Sequence, residues 1–304
     1  MNLPVVLVYL YSFYLVFGFD EWFVVWLGLE LNMISFLMLS HMFNNIIIIE
    51  AMASYFFIQS LASGVLVSMM YLGWSYVVWC MILMLKMGVG PFFGWYVSVV
   101  KSFSWWVNYI LMVFQKIVLL MLMMEVTTMF VFYVGMLSMF IGFMGVLGQV
   151  NLKVLMGYSS IFHGGWMFML MEEKNSMWWM YFLLYGLMML SIVSILNSQM
   201  MLSIYISVGL SKYGLILVML NLAGIPPFVG FIMKWMSFYF LWMFDYWLMI
   251  VMVLVSLFML YAYFRFVYDV FLSAVYNTAW KTCSKLYFMG ESFGLVGVLV
   301  IFML

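Results

Sequence analysis

The chain has 304 residues, 70% hydrophobic and 7% charged, with a mean hydropathy of +1.23 and no net charge. A soluble domain carries about 25% charge to hydrate its surface, so a soluble enzyme and a disordered chain are both excluded. A bilayer has to be the solvent for most of the surface, and zero net charge leaves no nucleic-acid footprint.

A helix crosses the hydrocarbon with ~20 residues, and short loops bring this to roughly 27 per crossing, which allows about eleven crossings. Residues 51–85, 126–152 and 175–211 contain no Asp, Glu, Lys or Arg. Spans are expected near 3–19, 22–43, 51–73, 75–99, 104–124, 126–148, 154–171, 177–200, 206–240, 243–271 and 287–304. The runs are too long, and lack the strict alternation, for barrel strands. The expected fold is an all-α polytopic membrane protein forming a single transmembrane domain over 1–304. No cleavable signal peptide is expected, because residues 1–19 lack a basic start and Asp20-Glu21 follows directly.

With eleven crossings, the N-terminal side carries Lys101, Lys153, Lys212, Lys281 and Lys285, with Glu50 as a loop acid. The far side carries Asp20, Glu21, Glu125, Glu172, Glu173 and Asp245, with Lys174 its only lysine. The positive-inside rule therefore puts the N-terminus on the matrix or cytoplasmic side and the C-terminus opposite.

Within the spans lie Glu30 in the second, Lys86 in the fourth, Lys116 in the fifth and Lys234 in the ninth. Each costs ~2.5–3.5 kcal/mol at a helix centre, and such residues usually mark proton or ion routes. Structural ion pairing is the alternative; snorkelling to the interface fits Lys234 and Arg265 better than Lys86 or Lys116.

Two spans also carry helix breakers. In the fourth, Gly88, Gly90 and Pro91 follow Lys86, and Pro91 cannot donate to the carbonyl of Met87. In the ninth, Gly224, Pro226 and Pro227 precede Lys234, and the prolines free the carbonyls of Leu222 and Ala223. Unwound backbone at membrane depth survives only where it is buried or lines a wet cavity. A pair of Gly/Pro-interrupted spans is the mark of an inverted-repeat transporter; a plain kinked helix is the alternative for each span alone.

Two cysteines (Cys80, Cys283) and two histidines (His41, His163), without CxxC or HExxH, are too few for an iron–sulfur cluster, a closed zinc site or a c-type haem. No dinucleotide or Walker A fingerprint is present. No metal or cofactor site is expected in this chain. The composition, with 37 Met, 31 Phe and 14 Trp against 4 Pro, 4 Thr and 4 Gln, follows T- and G-rich codons, as in a small organellar genome. Hydrophobic selection alone would not favour Trp over Ala.

At these residues the chain resembles the chain 2 family of respiratory complex I, NADH–ubiquinone oxidoreductase. Residues 26–33 (WLGLELNM) are similar to that family's glutamate-bearing helix, 85–95 (LKMGVGPFFGW) to its first broken helix, and Gln115-Lys116 to its central lysine helix. GYSSIFHGGWM (157–167) and AGIPPFVGFIMKW (223–235) are similar to two further signatures, in family order and together covering about a quarter of the chain.

The resemblance implies an inverted-repeat, antiporter-like fold with two broken helices, in the mitochondrial inner membrane. The animal form lacks three N-terminal helices of bacterial relatives, which agrees with the lysine-derived orientation. It implies proton translocation through Glu30 and Lys86 as a switching ion pair, Lys116 as the central relay and Lys234 as the relay toward the exit. His163 and Ser159 would belong to a water network or to packing. The implied NADH, FMN, iron–sulfur clusters and ubiquinone belong to other subunits. The implied partners are the adjacent antiporter-like chain 4, small membrane chains and lipids such as cardiolipin. A stand-alone cation/proton antiporter and a purely structural membrane subunit are the alternatives. The family usually has His at Phe93, Pro at Val97, Glu at Ser98 and Lys at Ser54; Lys86 is kept.

Overall fold

The computed structural model describes residues 3–41, 46–73, 75–126, 129–172, 177–197, 210–242 and 246–275. Every regular element among them is a helix, as expected where lipid offers the backbone no partner outside its own segment. The eleventh expected span (287–304), Trp280, Lys281, Lys285, Asp245, Glu173 and Lys174 lie outside the described residues.

The chain forms two compact units, dividing after Ser138. The first contains α1 (Leu3–Gly18), α2 (Trp22–His41), α3 (Ile46–Leu72) and α4 (Tyr76–Met87). A single 3-10 turn at Gly90–Phe92 follows, then α5 (Gly94–Ser102) and α6 (Trp105–Tyr109). A π-helical turn, Ile110–Phe114, runs into α7 (Gln115–Glu125), and the first half of α8 (Met129–Val146) completes the unit. Here α2 packs on α1 and α3, α3 packs on α4 and α5, and α4 packs on α7. The second unit holds the rest of α8 with α9 (Leu152–Glu172), α10 (Met177–Asn197), α11 (Leu210–Ala223), α12 (Val229–Leu241) and α13 (Tyr246–Val275). In it α10 packs on α9, α11 and α12, while α11 also packs on α13. Because α13 runs on to Val275, the start of the loop expected at 272–286 is helical.

Among the described residues, six helices are long and apolar enough to cross a membrane, seven when the pair Tyr76–Phe92 and Gly94–Ser102, bent by 86°, is taken as one span. The sequence predicts about eleven. The other described segments are α9, whose Gly, Ser and His lower its hydropathy, and the short apolar helices α1, α11 and α12. At 1.5 Å per residue the 13-residue α12 reaches about 20 Å, short of the ~30 Å hydrocarbon core, so it cannot cross alone.

Most buried serines are accounted for inside their own helices. Ser12 donates to Tyr9 O at 2.6 Å, Ser63 to Ser60 O at 2.8 Å and Ser138 to Gly135 O at 2.7 Å. Such back-bonding satisfies a hydroxyl without a tertiary partner. Among the described residues, side-chain hydrogen bonds cross both breaks: Gln59 and Trp95 onto the end of α4, and Asn221 and Lys234 between α11 and α12.

Candidate functional site: two broken helices and their lysines

The first break is built by Gly88. It ends α4 in the left-handed conformation (φ 67°), its N–H donating to Leu85 O and that of Val89 to Met84 O, both at 3.2 Å. This is the Schellman arrangement, for which glycine is the low-strain residue. A Cβ at Gly88 would also collide with the Cβ of Tyr96 on α5. Gly90, also at φ 67°, and Pro91 then form the 3-10 turn that leads into the bend.

The sequence predicts a freed carbonyl at Met87. The helix instead stops at Gly88, and the carbonyls engaged by side chains are those of Leu85 and Lys86. Trp95 Nε1 donates to Leu85 O at 3.1 Å, and Gln59 Nε2 donates to Lys86 O at 2.8 Å. The gap left by the interrupted ladder is thus closed from α5 and α3.

Lys86 and Lys116 are 5% and 3% exposed, which excludes snorkelling for either. They meet at one small cavity, whose lining also includes Tyr55, Gln59, Trp95 and Gln115. The Lys116 ammonium stands 5.0 Å from the centre of the Tyr96 ring, a cation–π distance. The π turn directly precedes Gln115-Lys116; such wide turns are rare and frequent at functional sites. Gln115 Nε2 donates to Asn32 Oδ1 at 2.7 Å, tying the lysine helix to the glutamate helix.

Glu30 lies on α2, two residues before Asn32. Its carboxylate is within electrostatic reach of Lys86 and of Tyr55. Glu30 Oε1 is buried with no hydrogen-bond partner among the described residues, so the glutamate and Lys86 act on each other through space rather than by contact.

The second break lies in the other unit. α11 ends at Ala223, Gly224 takes φ 76°, and α12 starts at Val229 beyond Pro226 and Pro227. Asn221 joins the two halves: its carbonyl accepts from Gly224 N–H at 3.0 Å, and its side-chain oxygen accepts from Gly230 N–H at 2.9 Å. A side chain at Gly230 would run into the Asn221 carbonyl. Lys234, 7% exposed, donates from Nζ to Ala223 O at 2.6 Å, one of the two carbonyls the prolines are expected to free. That contact excludes snorkelling here as well.

His163 and Ser159 are buried on α9. His163 Nδ1 and the Tyr181 hydroxyl are 2.7 Å apart, and the rings of His163 and Tyr185 are centred 5.0 Å apart. Ser159 donates to Met156 O at 2.8 Å in its own helix. Tyr181 also lines a small cavity shared with Met233, Met236 and Ser237 of α12, and Ser237 donates to Lys234 O at 2.7 Å. The cavity is thus lined by the hydroxyl partner of His163 and by the serine bonded to the Lys234 backbone, and not by the histidine or the lysine themselves. At the departures from the family pattern, Ser98 donates to Trp95 O at 2.7 Å and Ser54 to Ala51 O at 2.9 Å, both within their own helices.

Tyr55, Gln59, Asn32, Asn221 and Tyr181 were not singled out by the sequence. The available signal was a neutral polar side chain inside a charge-free apolar run, as at Gln59, one of only 4 Gln in the chain.

Two proline- or glycine-broken helices, each bearing a buried lysine, define a polytopic membrane protein of antiporter-like build. Residues 73–259 match the family described as NADH:quinone oxidoreductase/Mrp antiporter, TM. Among individual relatives, the chain is 30% identical to NADH-ubiquinone oxidoreductase chain 2 of Anopheles gambiae, over 86% of this chain and 83% of that one. It is 32% identical to chain 2 of Aedes aegypti over the same shares. The chain belongs to the NADH-ubiquinone oxidoreductase chain 2 family. In fold it superposes on a chain of respiratory complex I from Thermus thermophilus with a TM-score of 0.83 at 19% identity, over 97% of this chain and 77% of that one. A chain of the Mrp complex from Dietzia sp. superposes with a TM-score of 0.77 at 15% identity, over 93% and 62%.

Proposed function

We propose that this chain is a proton-translocating membrane-arm subunit of respiratory complex I, NADH:ubiquinone reductase, in the mitochondrial inner membrane. The observation that carries this is the cavity joining Lys86 and Lys116 at the broken helix, with the Glu30 carboxylate in electrostatic reach. Burial disfavours the charged form of an amine, and a neighbouring carboxylate favours it. Movement of Glu30 relative to Lys86 would therefore load and unload a proton there, with Lys116 as the next station and Lys234 as the relay toward the exit. The load is modest: moving one charge against ~150 mV takes about 3.5 kcal/mol.

In this reading the chain acts as one functional domain of about eleven crossings, arranged as inverted repeats. Its N-terminus faces the matrix and its C-terminus the intermembrane space. His163 and Ser159 belong to the polar network of the second half, with Tyr181, the partner of His163, and Ser237 lining its cavity. Redox cofactors and ubiquinone belong to other subunits of the complex, and the neighbours are chain 4, small membrane chains and lipids including cardiolipin.

The likeness to the Mrp complex is one of fold, whereas the relatives at 30% identity and above carry the complex I name. The test is a Lys116→Met variant in the assembled complex, in sealed vesicles. Loss of proton translocation coupled to NADH oxidation, with assembly intact, supports the reading. Wild-type translocation would leave a structural subunit.

A further inference from the structure

Five buried polar atoms of the first unit have no hydrogen-bond partner among the described residues, and three of them lie on the first two helices: Tyr9 OH on α1, and Trp26 Nε1 and Glu30 Oε1 one turn apart on α2. Buried polar atoms are nearly always satisfied, and where protein supplies no partner an ordered water usually does. Tyr55 joins two of these groups. It lies on α3, 3% exposed, within electrostatic reach of both Glu30 and Tyr9. Its ring is held against Phe36 and Trp95, with centroids 5.0 and 6.0 Å away, and the same residue lines the cavity of Lys86 and Lys116.

We infer that Tyr55 passes protons between Glu30 and the lysine cavity, through a water held by the Tyr9 hydroxyl and the Glu30 carboxylate. A phenol both donates and accepts. The protonated Glu30 carboxyl gives its proton to the water as the water passes one to a lone pair of the phenol. The phenol releases its own to a neutral lysine amine of the cavity, leaving Glu30 as carboxylate, the lysine as ammonium, and water and phenol neutral with their O–H bonds exchanged. No charge separates on the phenol over the cycle. The inference rests on the proposed relay through Glu30, Lys86 and Lys116, and it gives that relay a route where Glu30 and Lys86 do not touch.

Tyr55→Phe tests it, because the ring contacts survive and only the hydroxyl goes. The measurement is proton translocation coupled to NADH oxidation in the assembled complex, with its solvent deuterium isotope effect, beside Lys116→Met. Expected is normal assembly with loss of most translocation in both variants. Wild-type translocation and isotope effect in Tyr55→Phe, with loss in Lys116→Met, overturns the role of Tyr55 and leaves the relay standing. Wild-type behaviour in both overturns the relay itself. Should Tyr55→Phe fail to assemble, the wild-type complex decides. Ordered water joining Tyr9, Tyr55 and Glu30 supports the inference, and a dry contact among them overturns it.

Discussion

Lys234 donates its ammonium to the carbonyl of Ala223, eleven residues back across the break that leaves that carbonyl open. The lysine is thus both a charge inside the membrane and the cap of its own broken helix. Lys234→Met should therefore cost stability as well as any transport role, about 1–3 kcal/mol for the buried carbonyl left unpaired. A lower unfolding temperature of the purified complex relative to wild type checks it; an unchanged one would mean that another group takes over the carbonyl.

Gln59 holds Lys86 in the same indirect way, through the lysine's carbonyl rather than its amine. Gln59→Leu removes the donor while keeping the bulk, and about 1–3 kcal/mol should be lost. Amide hydrogen exchange in α4 should rise most in its last turn, with little change in α2.

Gly88 has no tolerant substitute. Alanine would bear ~1–2 kcal/mol for the left-handed backbone and would also collide with Tyr96. The expected result of Gly88→Ala is a sharp fall in assembled complex on native gels, whereas Gly94→Ala, where a Cβ meets nothing within 4 Å, should assemble normally.

The amide pair Asn32–Gln115 ties the Glu30 helix to the Lys116 helix. A double-mutant cycle with Asn32→Leu and Gln115→Leu should return a coupling of about 0.5–1.5 kcal/mol. Additive single effects on unfolding would show that the two helices are held together by other contacts.

Glu30→Gln keeps shape and removes the charge acting on Lys86 and Tyr55. The complex should assemble and lose most of its coupled proton translocation, with Glu30→Asp in between. Assembly failing alongside transport in Glu30→Gln would assign the carboxylate to folding.

The lysines and the breaks were legible in the sequence because both violate a local rule: an ion, or a proline, inside an apolar run has no cheap explanation. Lys86, Lys116 and Lys234 are accordingly all buried, and both helices stop where the glycines and prolines stand. What completes the site was not legible. Gln59 acts 27 residues from its carbonyl and Gln115 acts 83 residues from Asn32, and no local pattern reports such pairings. Asn221 lies two residues before the recognised motif, and its two bonds exist only once the break has formed. That side chains take up the carbonyls of Leu85 and Lys86 was not foreseen, because the Gly88 cap ends α4 before Pro91 is reached.

The wide turn at Ile110–Phe114 gave no warning at all, being wholly apolar, yet it sets the angular phase of everything after it. A π turn takes up one residue more than the α geometry, and each α residue rotates the chain by about 100°. Gln115 and Lys116 therefore point to a side of the helix that a regular count from Trp105 would not assign to them. Deleting one residue from the turn would preserve every side chain of the site. It would still swing Lys116 roughly a quarter of a revolution around the helix axis. At this point the chain length between helix start and lysine, not the identity of the apolar residues, determines which way the charge looks.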